Sequence, residues 1–140
     1  MQKKRLVVDA NILIRAVLGR RARELIVRYS ETVAFYAADA NYDEAMRYLG
    51  ELAPARGISD LVWRKSLSTV MEAIQLIAVE ELRHVESEAK ARISRRDVND
   101  WPAVADDMLF DCPVWTEDSD FFGSGVPTWT SETVEIYLSK

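Results

Sequence analysis

The sequence of 140 residues is short of the residue types that several common chemistries require. It has a single cysteine, Cys112, so no internal disulfide can form, and a reducing cytoplasm is the expected compartment. It has a single histidine, His84, and one His with one Cys cannot build a typical zinc site. A Ser-His-Asp or Cys-His site would have to depend on His84. That residue lies in a charged helical segment with no nucleophile suggested beside it, and is read as solvated. No apolar run approaches the ~20 residues that span a bilayer. Lys3, Lys4 and Arg5 precede an apolar stretch, but Asp9 and Asn11 interrupt it too early for a signal peptide. No linker, internal repeat or low-complexity segment is visible.

Basic excess is also lacking. The net charge of −5 argues against a strongly basic nucleic-acid binder. The distribution is uneven, however. Residues 1–28 hold eight of the 18 Lys/Arg and only Asp9 and Glu24 of the 23 acids. Arg15, Arg20, Arg21, Arg23 and Arg28 cluster there. Such a cluster is ordinarily a solvated helix face, and it could also rim an acidic centre and bind phosphates, as could the pair Arg95-Arg96.

What is present is a globular composition, 49% apolar and 29% charged, in a length that fits one domain over residues 1–140. Leu6-Val7-Val8 reads as a strand buried on both faces, and Ile12-Leu13-Ile14 as the start of a buried helix. Helices are expected over Ile12 to Gly19 and Arg21 to Tyr29, then a strand over 32–37. A helix over 42–53 is capped by Asp39 or Asn41, and another is opened by Ser59 or Asp60. A strand over 75–79, a helix over 82–93 and a helix from about Asn99 to Phe110 follow. The chain closes with strands over 113–116 and 126–129 and a helix over 131–138 capped by Ser131. Strands alternate with helices and no tight hairpin signal joins the first four. That predicts an α/β fold with a mostly parallel sheet of about five strands covered on both faces.

Such a sheet places its site at the carboxyl ends of its strands. Asp9 follows the first strand, Glu44 lies just past the second, Asp100 opens the helix before the fourth, and Asp118 follows the fourth. Each has a plain alternative as a helix cap, a first-turn acid or a turn residue. Four acids at equivalent places in an alternating fold are harder to attribute to chance. Four converging carboxylates repel unless a cation neutralises them. Oxygen-only ligation suits Mg²⁺ or Mn²⁺, which can activate a water toward a phosphodiester. Asp106, Asp107, Asp111 and Glu117 are surplus to such a site and are read as solvated. A haloacid-dehalogenase-like phosphatase should carry a second Asp two residues after the first, where Asn11 stands. A receiver domain should carry a lysine near the last strand, yet the only lysine after Lys90 is Lys140.

The sequence resembles the PIN-domain nucleases. The matching pieces are Val7-Val8-Asp9-Ala10-Asn11, Glu44, Arg96 through Pro102, and Trp115 through Phe122. The resemblance covers nearly the whole chain and implies a three-layer α/β/α fold, Mg²⁺ or Mn²⁺, and endonucleolytic cleavage of RNA. It further implies a toxin of the VapC type, an antitoxin partner and a homodimer. By the same likeness Asp9, Glu44, Asp100 and Asp118 are the catalytic, metal-binding set. Asp97 and Asp120 are accessory metal ligands, and Asn11 and Thr116 orient ligands or water. A catalytically silent PIN-like domain that binds RNA or protein is the alternative. Ala105-Asp106-Asp107-Met108 departs from the family's small or apolar residues in that helix.

Overall fold

A computed structural model describes residues 3–93, 101–118 and 127–140, apart from the side chains of residues 106, 107, 109 and 110. Five parallel strands, β1 (Lys4–Val8), β2 (Val33–Ala38), β3 (Ile74–Ile77), β4 (Val114–Trp115) and β5 (Thr128–Trp129), lie side by side in the order β3-β2-β1-β4-β5. Leu6 pairs with Phe35 of β2, and Val8 pairs with Trp115 of β4. Parallel neighbours require crossover connections, and helices lie between β1 and β2, between β2 and β3 and between β3 and β4, with one more after β5. They are α1 (Ala10–Leu18), α2 (Arg21–Tyr29), α3 (Asp39–Ala55), α4 (Asp60–Met71), α5 (Val79–Leu82), α6 (Glu86–Ile93), α7 (Trp101–Phe110) and α8 (Val134–Leu138).

The strand residues alternate between two cores. Leu6, Val8, Phe35 and Trp115 pack with Leu13 of α1, Leu25 and Ile26 of α2, Val70 of α4 and Leu138 of α8. Val7, Ala38, Ile77 and Val114 pack with Leu82 of α5, Ile93 of α6 and Trp101 and Val104 of α7. This is the expected α/β/α layering, and it explains the unbroken apolar run of β1: both faces are covered. A third cluster, Val17, Leu49, Ala53, Trp63 and Leu67, joins α1, α3 and α4 beyond the sheet. Among the described residues no helix is long and apolar enough to cross a membrane.

Several element boundaries depart from expectation. Helix α3 begins at Asp39, not Tyr42, and neither Asp39 nor Asn41 caps it. Asp39 Oδ1 instead accepts the Val79 N–H at 3.2 Å, tying the end of the β3 segment to the start of α3. The third strand stops at Ile77, because Val79 already starts α5. The single helix expected over 82–93 is two helices joined by a 3₁₀ turn, Arg83–Val85. Glu86 holds that junction through Arg83 at 2.6 Å and Lys90 at 2.7 Å. The apolar face expected from the helical spacing of Leu82, Val85, Ala89 and Ile93 does turn inward: Leu82, Ala89 and Ile93 are buried, and Val85 is partly so. Ser59 does cap α4, its hydroxyl accepting from the Val62 N–H. Ser131 does not cap α8; its hydroxyl accepts the Trp115 Nε1–H at 3.2 Å and the helix starts at Val134. His84 is exposed, as expected.

Candidate active site at the carboxyl edge of the sheet

The strand order reverses direction at β1: the chain steps outward through β2 and β3, then returns to place β4 on the other side of β1. In open parallel sheets the crevice at such a point, at the carboxyl ends of the strands, is where ligands bind. Asp9 ends β1 there. Its N–H donates to Trp115 O at 3.1 Å, which extends the β1–β4 ladder and sets Asp9 beside Thr116.

Asp9 is almost wholly enclosed, at 3% exposure. Four donors surround its carboxylate. Oδ1 accepts the Ala10 N–H at 2.8 Å and Asn41 Nδ2 at 3.1 Å. Oδ2 accepts Asn11 Nδ2 at 2.8 Å and the Thr116 hydroxyl at 2.8 Å. The plain reading of Asp9 as a helix cap is therefore correct as far as it goes, since Asp9 is the N-cap of α1. Capping needs one bond, however, and this carboxylate has four. No Lys or Arg pairs with it among the described residues. Burial raises its pKa to about 6; the bonds from Thr116 and Ala10 oppose the rise, and repulsion from Glu44 and Asp118 adds to it.

The partners are themselves held. Thr116 Oγ1 accepts from Asn11 Nδ2 at 3.0 Å and from the Asp118 N–H at 2.9 Å. Asn11 Oδ1 accepts the Glu117 N–H at 3.1 Å, which fixes the amide's orientation. Glu117 is not merely solvated, as its surplus acidity suggested. Its Oε1 accepts the Ser131 N–H at 2.6 Å, bracing the loop after β4 against the segment that enters α8.

The structure thus brings Asp9, Asn11 and Thr116 into one bonded unit, with Glu44 on α3 and Asp118 after β4 near enough to bear on the Asp9 charge. Asp100, Asp97 and Asp120, with Arg95 and Arg96, lie outside the described residues, and so do the side chains of Asp106 and Asp107. Asn41 was missed. It heads the buried face of α3, followed at four-residue intervals by Ala45, Leu49 and Ala53. An amide at the head of an apolar stripe was the available signal; reading it as a cap hid it. Of the basic cluster, Arg21 and Arg28 pair with Glu135 at 2.9 and 3.0 Å. Arg20 sits 3.7 Å from Glu24. Arg23 donates to the Ala16 carbonyl at 3.5 Å. Arg15 is exposed, one turn along α1 from Asn11.

The sequence matches the family model described as "PIN domain" over residues 7–139. The chain belongs to the PIN-domain family. Its fold is shared by several solved structures. VapBC2 of Rickettsia felis, solved bound to a promoter DNA fragment, aligns at a TM-score of 0.70 and 9% identity, over 90% of this chain and 98% of that one. The protein PAE2754 of Pyrobaculum aerophilum aligns at 0.68 and 15% identity, over 97% and 96%. A toxin–antitoxin complex from Klebsiella pneumoniae aligns at 0.66 and 15%, over 90% and 97%. At these identities the likeness concerns the fold. Among curated proteins no sequence match was found.

Among the described residues no three His, Cys, Asp or Glu side chains stand close enough together to hold a metal ion; what Asp9, Glu44 and Asp118 offer is oxygen, which suits a hard divalent cation rather than zinc. Four accepted bonds fill the usual capacity of a carboxylate, so an ion reaching Asp9 must displace or share one of them. Asn11 Nδ2, already divided between Asp9 and Thr116, is placed to yield.

Proposed function

We propose that this PIN domain is a Mg²⁺- or Mn²⁺-dependent endoribonuclease and acts as the toxin of a toxin–antitoxin pair. One observation carries the reading. A buried carboxylate with no cationic partner among the described residues lies within electrostatic reach of two further acids, at the sheet edge where ligands bind. A structural cap needs none of that negative charge, whereas a cation site does.

In this reading Asp9, Glu44 and Asp118 hold the ion, joined by Asp100 and with Asp97 and Asp120 as accessory ligands. A divalent ion bound there neutralises the phosphodiester and lowers the pKa of an attacking water. The chain's own residues do the positioning. Thr116 and Asn41 hold one oxygen of Asp9 each, so the carboxylate keeps its orientation when Asn11 Nδ2 yields to the ion. The backbone bond from Asp118 to Thr116 keeps the fourth-strand acid in register with the first. The toxin role and an antitoxin partner are supported by the fold's likeness to VapBC2 and to the Klebsiella complex. A homodimer belongs to the same reading and is checked by sedimentation equilibrium.

The deciding experiment is cleavage of a panel of RNAs with and without Mn²⁺, using Asp9→Asn and Asp118→Asn as controls. Metal-dependent cleavage by the native chain, lost in both variants, is expected. Cleavage that survives both substitutions removes the proposed site. RNA binding with no cleavage under any metal favours the silent domain instead.

A further inference from the structure

A cavity of about 440 Å³ opens between the end of α1, the start of α2 and the end of α3. Arg15, Arg20, Arg21 and Arg56 line it over an apolar floor that includes Leu52, and no carboxylate joins the lining. Four guanidinium groups around one cavity are conspicuous in a chain of net charge −5. They are unequally engaged. Arg21 is bound to Glu135 and Arg20 loosely to Glu24, while Arg15 and Arg56 have no ion pair among the described residues. A guanidinium presents a fixed fork of donors that fits phosphate oxygens in pairs, and it stays charged at any working pH.

The cavity is linked to Asp9 through α1 and through Ser131. Asn11 and Arg15 are four residues apart on α1, hence on one face of the helix and roughly 6 Å apart along its axis. Ser131 lines the cavity, and its N–H is bound by Glu117, whose own N–H holds Asn11. A strand whose scissile phosphate lies at the carboxylates therefore has a path along α1 to the arginines. We propose that this cavity is a phosphate-binding subsite for the single-stranded RNA substrate, holding backbone phosphates adjacent to the cut. It rests on the ribonuclease reading for the identity of the ligand and not for its charge. Arg15 and Arg56 are its main donors. Arg20 is a third, and Arg21 stays with Glu135.

The test measures binding, apart from cleavage. A fluorescent single-stranded RNA oligonucleotide is titrated by anisotropy with the full chain in EDTA, over a range of salt concentrations. Native protein is compared with Arg15→Gln and Arg56→Gln, singly and together, and with Arg92→Gln, the same charge change as either single variant, on α6 across the sheet. The double variant is expected to bind roughly 10- to 100-fold more weakly. Its log–log salt slope should be shallower by about 1.4, two phosphate contacts at ~0.7 each. Arg92→Gln should match the native chain. Both arginines are exposed, so an unchanged melting temperature is the check on folding. Unchanged affinity and slope in the double variant would overturn the subsite, as would an equal loss in Arg92→Gln. A native chain that binds no RNA but binds a polyglutamate peptide, lost in the double variant, also overturns it and gives the cavity to an acidic protein segment. The expected binding losses with no Mn²⁺-dependent cleavage would uphold the subsite and reject the nuclease reading.

Discussion

At Asp9, burial and hydrogen bonding pull in opposite directions, and burial wins, leaving its pKa at about 6. A buried acid that holds its proton more tightly in the folded state than in the unfolded one makes stability fall as pH rises. The window runs from the ordinary carboxylate value, 3.8, up to about 6, and the change across it is about 3 kcal/mol. Glu86 and Glu135 are shifted the other way, by their bonds to Lys90 and to Tyr29 first, and so mask the effect in the native chain alone. The measurement is therefore urea unfolding of native protein and Asp9→Asn in metal-free buffer at pH 4, 5, 6 and 7. The native-minus-variant stability should decline across that range and flatten above it; a constant difference would contradict the burial argument. Asn41→Ala gives a second check. It removes a donor to the charged form, so the apparent pKa of Asp9 should rise further, at a cost of about 1–3 kcal/mol in stability near neutral pH. An apparent pKa that stays put or falls would show that Asn41 only fills space.

At the scale of elements, the end of α3 offers a paired test of what glycine is for. Gly57 follows the helix with φ +73°, and the Ile58 N–H reaches back to Ala53 O at 2.9 Å while the Gly57 N–H meets Pro54 O at 3.0 Å. That is a Schellman closure, which needs a left-handed residue after the cap. Space is open around both Gly57 and Gly50, so only the backbone distinguishes them. Gly57→Ala should cost about 1 kcal/mol, whereas Gly50→Ala, inside the same helix, should add about 0.5–1 kcal/mol. Thermal unfolding separates the two, and equal signs would refute the assignment. Elements of this kind were readable in the sequence where periodicity set them. The run Leu6-Val7-Val8 announced a doubly covered strand, whereas the helical spacing that carries Leu67, Val70 and Met71 on to Ile74 overran α4, because Ile74 already belongs to β3. What periodicity does not encode is competition from distant partners. Asp39, Asn41 and Ser131 are all natural caps, and each is drawn away, to Val79, Asp9 and Trp115 respectively. Asp9 was legible because it follows directly on a strand, whereas Thr116, inside the strand expected over 113–116, was singled out by the family resemblance alone. The Asn11–Glu117–Ser131 brace was not, because it joins residues 106 and 14 positions apart.

For the whole molecule, the parallel sheet brings Glu44 and Asp118 near enough to add to the raised pKa of Asp9, a repulsion that a bound cation would relieve. A ligand bound only by the folded state offsets it in proportion to the logarithm of its concentration. With Mn²⁺ at about 100 times its dissociation constant, the native chain should gain ~2.7 kcal/mol, which for a domain of this size is roughly 5–15 °C in melting temperature. Asp9→Asn and Asp118→Asn should each lose most of that gain, because each removes an anionic ligand. Arg15→Gln/Arg56→Gln should keep it in full, because the arginine cavity attracts anions and not metals. The gain should also shrink as pH falls through about 6, where the Asp9 proton competes with the ion. Differential scanning calorimetry with Mn²⁺ and EDTA arms tests all three variants at once. A shift equal in native protein and Asp9→Asn would place the ion elsewhere on the molecule. No shift at millimolar Mn²⁺ would mean that the carboxyl edge takes its cation only together with RNA, and adding uncleaved RNA to Asp118→Asn would then restore no stabilisation that depends on the metal.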